Sequence, residues 1–258
     1  MNDKQNKFYT SISKYYAEIF PYQPLQLEFV KNKVGELTGK NILDIGCATG
    51  ELAFQLSKEG AKVTGIDLNE NLLAQATGHS RFRSAVTEER EPEFAPPVFQ
   101  IGNMLELETN FHEKQFDVVL CFGNTLVHLP SIELMRQMLK GVYAVLKPNG
   151  NFLMQILNYD YILSEPVTDL PIIDTENIRF IRKYAIDKNS PLIRFQTLLE
   201  IKKEKRTVNN ETILFALKSA DLVDLLKNTG FKEIELFSNF KQESFGGKHL
   251  PLVLSALK

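Results

Sequence analysis

ILDIGCATGELAFQL, residues 42–56, is the stretch that decides the fold. An apolar run reaches Gly46, passes through small residues to Gly50, and continues at once into a segment with helical spacing. Strand, glycine turn and helix follow from that order. Glycine removes the Cβ that would hold backbone away from a ligand, and the open N–H groups of a helix start offer hydrogen bonds to a polar group. Many strand-to-helix turns need glycine for backbone geometry alone, so the surroundings must decide its meaning.

Outward from this turn the chain alternates apolar strands with amphipathic helices. NILDI, ELAFQLSKEG, AKVTGID and NENLLAQATG come first, then VFQI, FDVVLCF and NFLMQIL as third to fifth strands. Such alternation predicts a parallel sheet with crossover helices. SIELMRQMLKGVYAVL places Ile132, Met135, Leu139, Val142 and Leu146 on one helical face, and LKPNG supplies stop signals before strand five. Before the first strand, Phe8, Ile12, Tyr15, Tyr16 and Ile19 repeat at helical spacing, as do Leu27, Val30, Val34 and Leu37 after Pro24. Residues 79–97, with their charges and three prolines, read as a helical stub and an exposed loop. IRFIRKYAI, PLIRFQTLLEI and TVNNETILFAL predict an antiparallel lid inserted after strand five. Ser219 is expected to cap the helix ADLVDLLKNT and Gly230 to end it, with FKEIELF and PLVLSALK as the final strands. The expected organisation is a helical cap at 1–39 and a main domain at 40–258, with 159–217 as the lid.

The chain has 258 residues, 43% of them apolar, enough for one large core. Its formal charge of −2 lacks the positive field of a nucleic-acid binder. The basic run Lys202, Lys203, Glu204, Lys205, Arg206 falls where a hairpin turn is expected and reads as a solvated turn. No apolar run approaches the roughly 20 residues of a membrane span, and no signal-like segment opens the chain. Cys47 and Cys121 are too few for a disulfide framework, so reduced thiols in a cytoplasmic protein are expected.

Asp67 ends the second strand 21 residues after Gly46, where an ionised carboxylate can accept hydrogen bonds from two ribose hydroxyls; alone it is equally a solvated strand end. DIGCATG resembles the D-x-G-x-x-x-G motif of class I S-adenosylmethionine-dependent methyltransferases and departs from the G-x-G-x-x-G of nicotinamide enzymes. The resemblance implies a Rossmann-like sheet of order 3-2-1-4-5-7-6, last strand antiparallel. It implies S-adenosyl-L-methionine as cofactor, held by Asp44, Gly46, Cys47, Ala48, Gly50, Asp67 and Leu68, and by Phe122, Gly123 and Asn124. Ala48 stands where the family often has glycine. GNM at 102–104 resembles the third-strand motif, which would put Asn103 at the adenine amine and Met104 over the ring, although both also suit a polar loop.

Two further strings, CFGNTLVHLP at 121–130 and NYDYILS at 158–164, resemble the glycine N-methyltransferase branch. Both fall at the carboxyl edge of the strands, where open α/β sheets bind ligands. The resemblance nominates Asn124 for acceptor positioning, and His128 either joins it or starts the next helix as a hydrogen-bonded histidine. Tyr159 and Tyr161 read as packing residues, while Tyr15 and Tyr16 are candidates to cover the cofactor, one of them facing the core. Where those enzymes have an arginine before the Asn-Tyr-Asp run, this chain has Leu157. Glycine is therefore not the expected acceptor, unless Arg179, Arg182 or Arg194 reaches in from the lid.

Methyl transfer from a sulfonium requires alignment more than strong base, which agrees with the lack of a nucleophile–base set or metal-ligand spacing in the sequence. The expected function is methylation of a small-molecule acceptor. Two alternatives are a non-catalytic S-adenosylmethionine-binding regulator and a nicotinamide oxidoreductase, the latter disfavoured by the glycine spacing.

Overall fold

The computed structural model describes residues 3–85 and 94–258, and of residues 3 and 79–85 only the backbone. Helices α1 (Asp3–Ile12), α2 (Tyr16–Ile19) and α3 (Pro24–Val34) precede strand β1 (Asn41–Ile45). The first helical stretch is broken by a tighter turn at Ser13–Tyr15, so the single helix expected there is two segments. Pro24 opens α3 at its first turn, and Gln23 and Gln26 satisfy each other's backbone N–H groups in a capping box.

Next come α4 (Glu51–Lys58), β2 (Lys62–Asp67), α5 (Glu70–Ala85), β3 (Val98–Ile101), α6 (Leu107–Asn110), β4 (Phe116–Cys121), α7 (Ile132–Val145) and β5 (Leu146–Leu157). After α8 (Tyr159–Ser164) the chain forms β6 (Ile173–Asp174), β7 (Ile178–Ile186), β8 (Leu192–Ile201) and β9 (Arg206–Phe215), then α9 (Ser219–Thr229), β10 (Lys232–Phe237) and β11 (Pro251–Leu257). The main sheet runs β10-β11-β5-β4-β1-β2-β3, which is the expected order. β11 is antiparallel to both neighbours, and the pairs from β5 through β3 are parallel. The second sheet, β6-β7-β8-β9, is antiparallel and contains a short first strand that no sequence pattern announced.

In the segment 79–97 the expected helical stub is the end of α5, which runs to Ala85, and 86–93 of the expected loop lie outside the described residues. Two local readings need correction. LKPNG does not precede strand five but begins it: Leu146 already pairs with Phe116, and the register shifts before Val118 meets Asn151. The extra residues bulge at Asn149, φ 59°, because the chain must leave α7 and re-enter the sheet without a separate loop. Ser219 is not the cap of α9; it is the first helical residue, and its N–H donates to Asp160 Oδ2 at 2.9 Å. The cap is supplied across space, tying α9 to α8. Gly230 ends α9 in the left-handed region as expected.

One face of the main sheet and the second sheet share a single apolar core. Ile45, Val119, Met154 and Leu139 belong to the same buried cluster as Phe180, Ile193, Phe195 and Leu199. Phe8 and Ile12 of α1 enter that cluster too, with Phe8 tilted against Phe195 at 5.8 Å. The second sheet and α1 are thereby held over the carboxyl edge of β1 and β4.

Candidate functional site

At the end of β1 the backbone enters the left-handed region at Gly46 (φ 75°), Ala48 (φ 49°) and Gly50 (φ 76°), and α4 starts directly after. This turn is closed by Asp67. Its Oδ2 accepts the Ala48 N–H at 3.1 Å and its Oδ1 the Asn69 N–H at 2.8 Å, so one carboxylate links the loops after β1 and β2. Burial pushes the Asp67 carboxyl above the usual range, and the N–H groups of Asn69, Ala48 and Leu68 act the other way. A Cβ at Gly46 would lie 2.7 Å from Thr125 Oγ1, and one at Gly50 would lie 2.4 Å from the Phe99 ring. Both glycines therefore serve protein packing and left-handed backbone, and Gly46 also lines both cavities at this edge of the sheet. Gly123 (φ 76°) is different: a Cβ there would meet nothing within 4 Å.

Asp44, one residue before the strand end, is buried, and no donor from the described residues reaches its carboxylate, which lines a cavity of about 540 Å³. Burial and the neighbouring Asp67 charge push it up to about 7. Cys47 and Cys121 are buried free thiols, pushed up by burial, Cys121 to about 12. They are thiols at neutral pH and unreactive.

A smaller compartment of about 80 Å³ adjoins the first beneath α1. Asp67, Leu68, Met104, Phe122 and Gly123 line it, with Tyr9, Tyr16 and Asn69. Asn103 does not: its amide donates to Glu106 at 3.0 Å and its carbonyl oxygen accepts the Leu105 N–H at 3.1 Å, so it is spent on its own turn. Helix α1 is latched over this compartment by Asn69, which donates to Asn6 Oδ1 at 2.7 Å and to Thr10 at 3.0 Å. Of the paired tyrosines, Tyr16 faces the site, whereas Tyr15 donates to Glu204 at 3.2 Å. Glu204 also holds Lys14 at 2.9 Å, so the basic turn is solvated as expected and in addition docks α1.

At the ends of β4 and β5, Asn124 (φ 67°) accepts the Leu157 N–H at 2.9 Å and donates to the Tyr159 hydroxyl at 3.2 Å. Asparagine tolerates the left-handed region better than other residues with a Cβ. Tyr159 is fully buried, and its hydroxyl lies near that of Tyr184 on β7. His128 Nε2 lies 2.7 Å from the Tyr9 hydroxyl, its Nδ1 is buried without a partner, and burial pushes it down to about 4. It is neutral and serves as a hydrogen-bonded anchor for α1 while lining both compartments. Asn124, Leu157, Arg182 and Tyr184 share the larger cavity. Among the described residues, no group of three or more His, Cys, Asp or Glu is arranged to hold a metal.

Sequence reasoning brought Asp44, Asp67, Met104, Phe122, Gly123, Asn124 and His128 to one place, and the structure joins them. It missed Tyr9, Asn69 and Tyr184, whose neighbours in space are 59 to 119 residues away along the chain for the first two. Tyr9 lay within the α1 pattern as an off-register aromatic, the only available signal.

With this geometry in view, a family model described as a methyltransferase domain matches residues 37–211. A ubiquinone biosynthesis O-methyltransferase of Actinobacillus pleuropneumoniae serotype 7 (strain AP76) is 32% identical over 135 residues, 52% of this chain and 53% of that protein. Glycine N-methyltransferase of Rattus norvegicus is 32% identical over 128 residues, 48% of this chain and 42% of that protein. The chain thus spans about half the length of the curated relatives it matches. An S-adenosylmethionine-dependent methyltransferase structure from Clostridium acetobutylicum superposes with a TM-score of 0.77 over 98% of each chain at 18% identity, a likeness of fold.

Proposed function

The chain belongs to the methyltransferase-domain family, and on that premise we propose that it binds S-adenosylmethionine and transfers a methyl group to a small-molecule acceptor. The observation that carries this reading is the pair Asp44 and Asp67 at adjacent strand ends. The first has an unpaired carboxylate facing a cavity, and the second closes the turn between them. The residues fit the cofactor's chemistry. Asp44 offers a charge to a cationic amino-acid portion, Asp67 keeps lone pairs for ribose hydroxyls, and Met104, Leu68 and Phe122 give an apolar slot for a base. When bound, S-adenosylmethionine would supply an electrophilic methyl group.

The compartment beneath α1 is smaller than a cavity that admits benzene, so a nucleoside can enter only if α1 and its Tyr9 and Asn69 contacts shift. The second sheet, residues 159–217, acts in this reading as a lid on the acceptor side. Asn124 positions the Leu157 backbone and Tyr159, and His128 anchors the cover. Burial pushes the phenols of Tyr9, Tyr16, Tyr159 and Tyr184 up and His128 down. None of them is a strong proton acceptor at neutral pH, which favours an acceptor that arrives with a free lone pair, such as an amine, over a phenol.

Calorimetry with S-adenosylhomocysteine, followed by a tritiated-donor screen across amines, phenols and carboxylates, tests the proposal. Binding and labelled product are expected. A folded protein without affinity for S-adenosylhomocysteine would overturn the cofactor assignment; binding without labelled product would instead support a non-catalytic role.

A further inference from the structure

Alternation along β7 puts Phe180, Arg182 and Tyr184 on one face, and Phe180 and Tyr184 are buried against the core. Arg182 points the same way and lines the larger cavity, the one lysine or arginine to do so among the described residues. One of its terminal nitrogens donates to the Pro171 carbonyl at 2.7 Å. Its Nε is buried and has no partner, and no carboxylate among the described residues pairs with it. Directly opposite across the β7–β8 pair stands Thr197, also buried, whose Oγ1 likewise lacks a partner. Two orphaned polar groups side by side cost several times a surface mismatch, because a buried N–H or hydroxyl forgoes water and gains nothing in return. The arginines at 179 and 194 do not share this position. Arg179 lies near Asp174, and Arg194 is exposed.

The apolar lining of this cavity includes Leu157, Leu170, Ile173, Phe195 and Leu214, interspersed with polar groups such as Asn124, Gln155 and Tyr184. The acidic groups Asp44 and Glu51 lie on the loop side of the same cavity. Resting on the methyltransferase reading above, we propose that the acceptor is a carboxylic acid with an apolar body, its carboxylate held by Arg182 and its other end directed to the β1 and β4 loops. A single guanidinium matches a monoanion. Arg182, which lines the cavity, offers charged N–H groups to the carboxylate oxygens, and the apolar belt takes up the body of the molecule. A phosphate dianion would bring a second charge into a cavity with no second cation and with carboxylates at its far side. Glycine has the carboxylate but no body for the belt, so Leu157 and Arg182 together select a larger acid.

Matched probes test this without reference to turnover. 4-Phenylbutyrate and 4-phenylbutyramide have the same shape and differ in charge, and their binding to the protein loaded with S-adenosylhomocysteine can be read by ligand-observed NMR. The acid should bind at least roughly tenfold tighter than the amide, as a charge-assisted hydrogen bond requires. Arg182→Met should erase the difference, and Arg182→Lys should retain part of it, both with unchanged S-adenosylhomocysteine affinity. Equal binding of acid and amide to the unaltered protein, binding of neither, or a preference that survives in Arg182→Met would overturn the proposal. S-adenosylhomocysteine affinity, measured on the same samples, reports separately on the cofactor assignment: its loss would strike that reading while the acid–amide comparison on the unloaded protein still decides the role of Arg182.

Discussion

Ala48 occupies a left-handed conformation that costs a residue with a Cβ about 1–2 kcal/mol, while its N–H is bound to Asp67. Glycine there would remove the strain and lose part of the gain to unfolded-chain entropy, so Ala48→Gly should stabilise the protein by about 1 kcal/mol. Thermal and urea unfolding check this; a destabilised variant would mean that the buried methyl packs better than the backbone suffers. Asp44 gives a second expectation. In the free protein its pKa is about 7, and a cation beside it favours the ionised form, so binding must release a proton below that pH. S-adenosylmethionine affinity should rise by up to about tenfold per unit as pH increases toward 7 and level off above it. Asp44→Asn should bind more weakly and with a flatter profile. Calorimetry across pH decides, and a flat profile for the unaltered protein would remove Asp44 from contact with the cation.

Helix α1 and the β8–β9 hairpin form one cover, joined by Lys14–Glu204 at 2.9 Å, Asn210–Ser11 at 2.7 Å and the Phe8–Phe195 contact. Surface ion pairs of this kind contribute little each, typically under about 1 kcal/mol, so the cover is held mainly by Phe8 and Ile12 and by the Tyr9–His128 and Asn69 hydrogen bonds. A ligand wedged beneath it must first open these contacts and then gain from their closing. Amide exchange in residues 3–20 and in β8–β9 should be faster than in β1 and β4 and should slow on adding S-adenosylhomocysteine. Tyr9→Phe removes the partner of His128 Nε2 and should speed exchange in α1 and weaken S-adenosylhomocysteine binding several-fold, consistent with the loss of about 1 kcal/mol for one buried hydrogen bond. Equal protection with and without ligand would argue against a moving cover.

Across the whole molecule, two buried groups oppose each other in pH. His128 falls from 6.5 to about 4, so the unfolded chain binds its proton in that window and stability is lost as pH falls through it. Asp44 rises from 3.8 to about 7, so the native state binds the extra proton, and its contribution is present in acid and lost as pH rises toward 7. The two shifts are similar in size, each on the order of 3 kcal/mol, and should nearly cancel between about pH 4 and 6.5. Asp67, also raised by burial, acts in the same direction as Asp44, so the variants are read against the unaltered protein. Relative to it, urea midpoints in His128→Gln should decline as pH rises through the window, and in Asp44→Asn they should increase. Parallel slopes in all three proteins would show that neither group is perturbed as described.

Local pattern was enough for much of this molecule. The strand–glycine–helix turn at 42–56, the β/α alternation and the period-two runs at 178–217 depend on residues within a few positions of each other, and so a parallel sheet with an antiparallel insertion was legible, whereas the strand order came only with the resemblance of DIGCATG to class I methyltransferases. Asp67 could be nominated from its place at the end of the second strand after the glycine turn, while Asp44, Asn124 and His128 were nominated by the resemblance, with the carboxyl edge of the parallel strands as geometric support. What local pattern could not supply were relations across the fold. Ser219 lost the capping role to Asp160, and Asn103 was absorbed by its own turn. Gly46 answers to Thr125, Tyr9 reaches His128, and Arg182 was one of three arginines with equal claim until packing left its Nε buried and unpaired. Those outcomes depend on which side chains meet when distant segments close over a shared core, and hydrogen-bond satisfaction and burial are settled only at that contact.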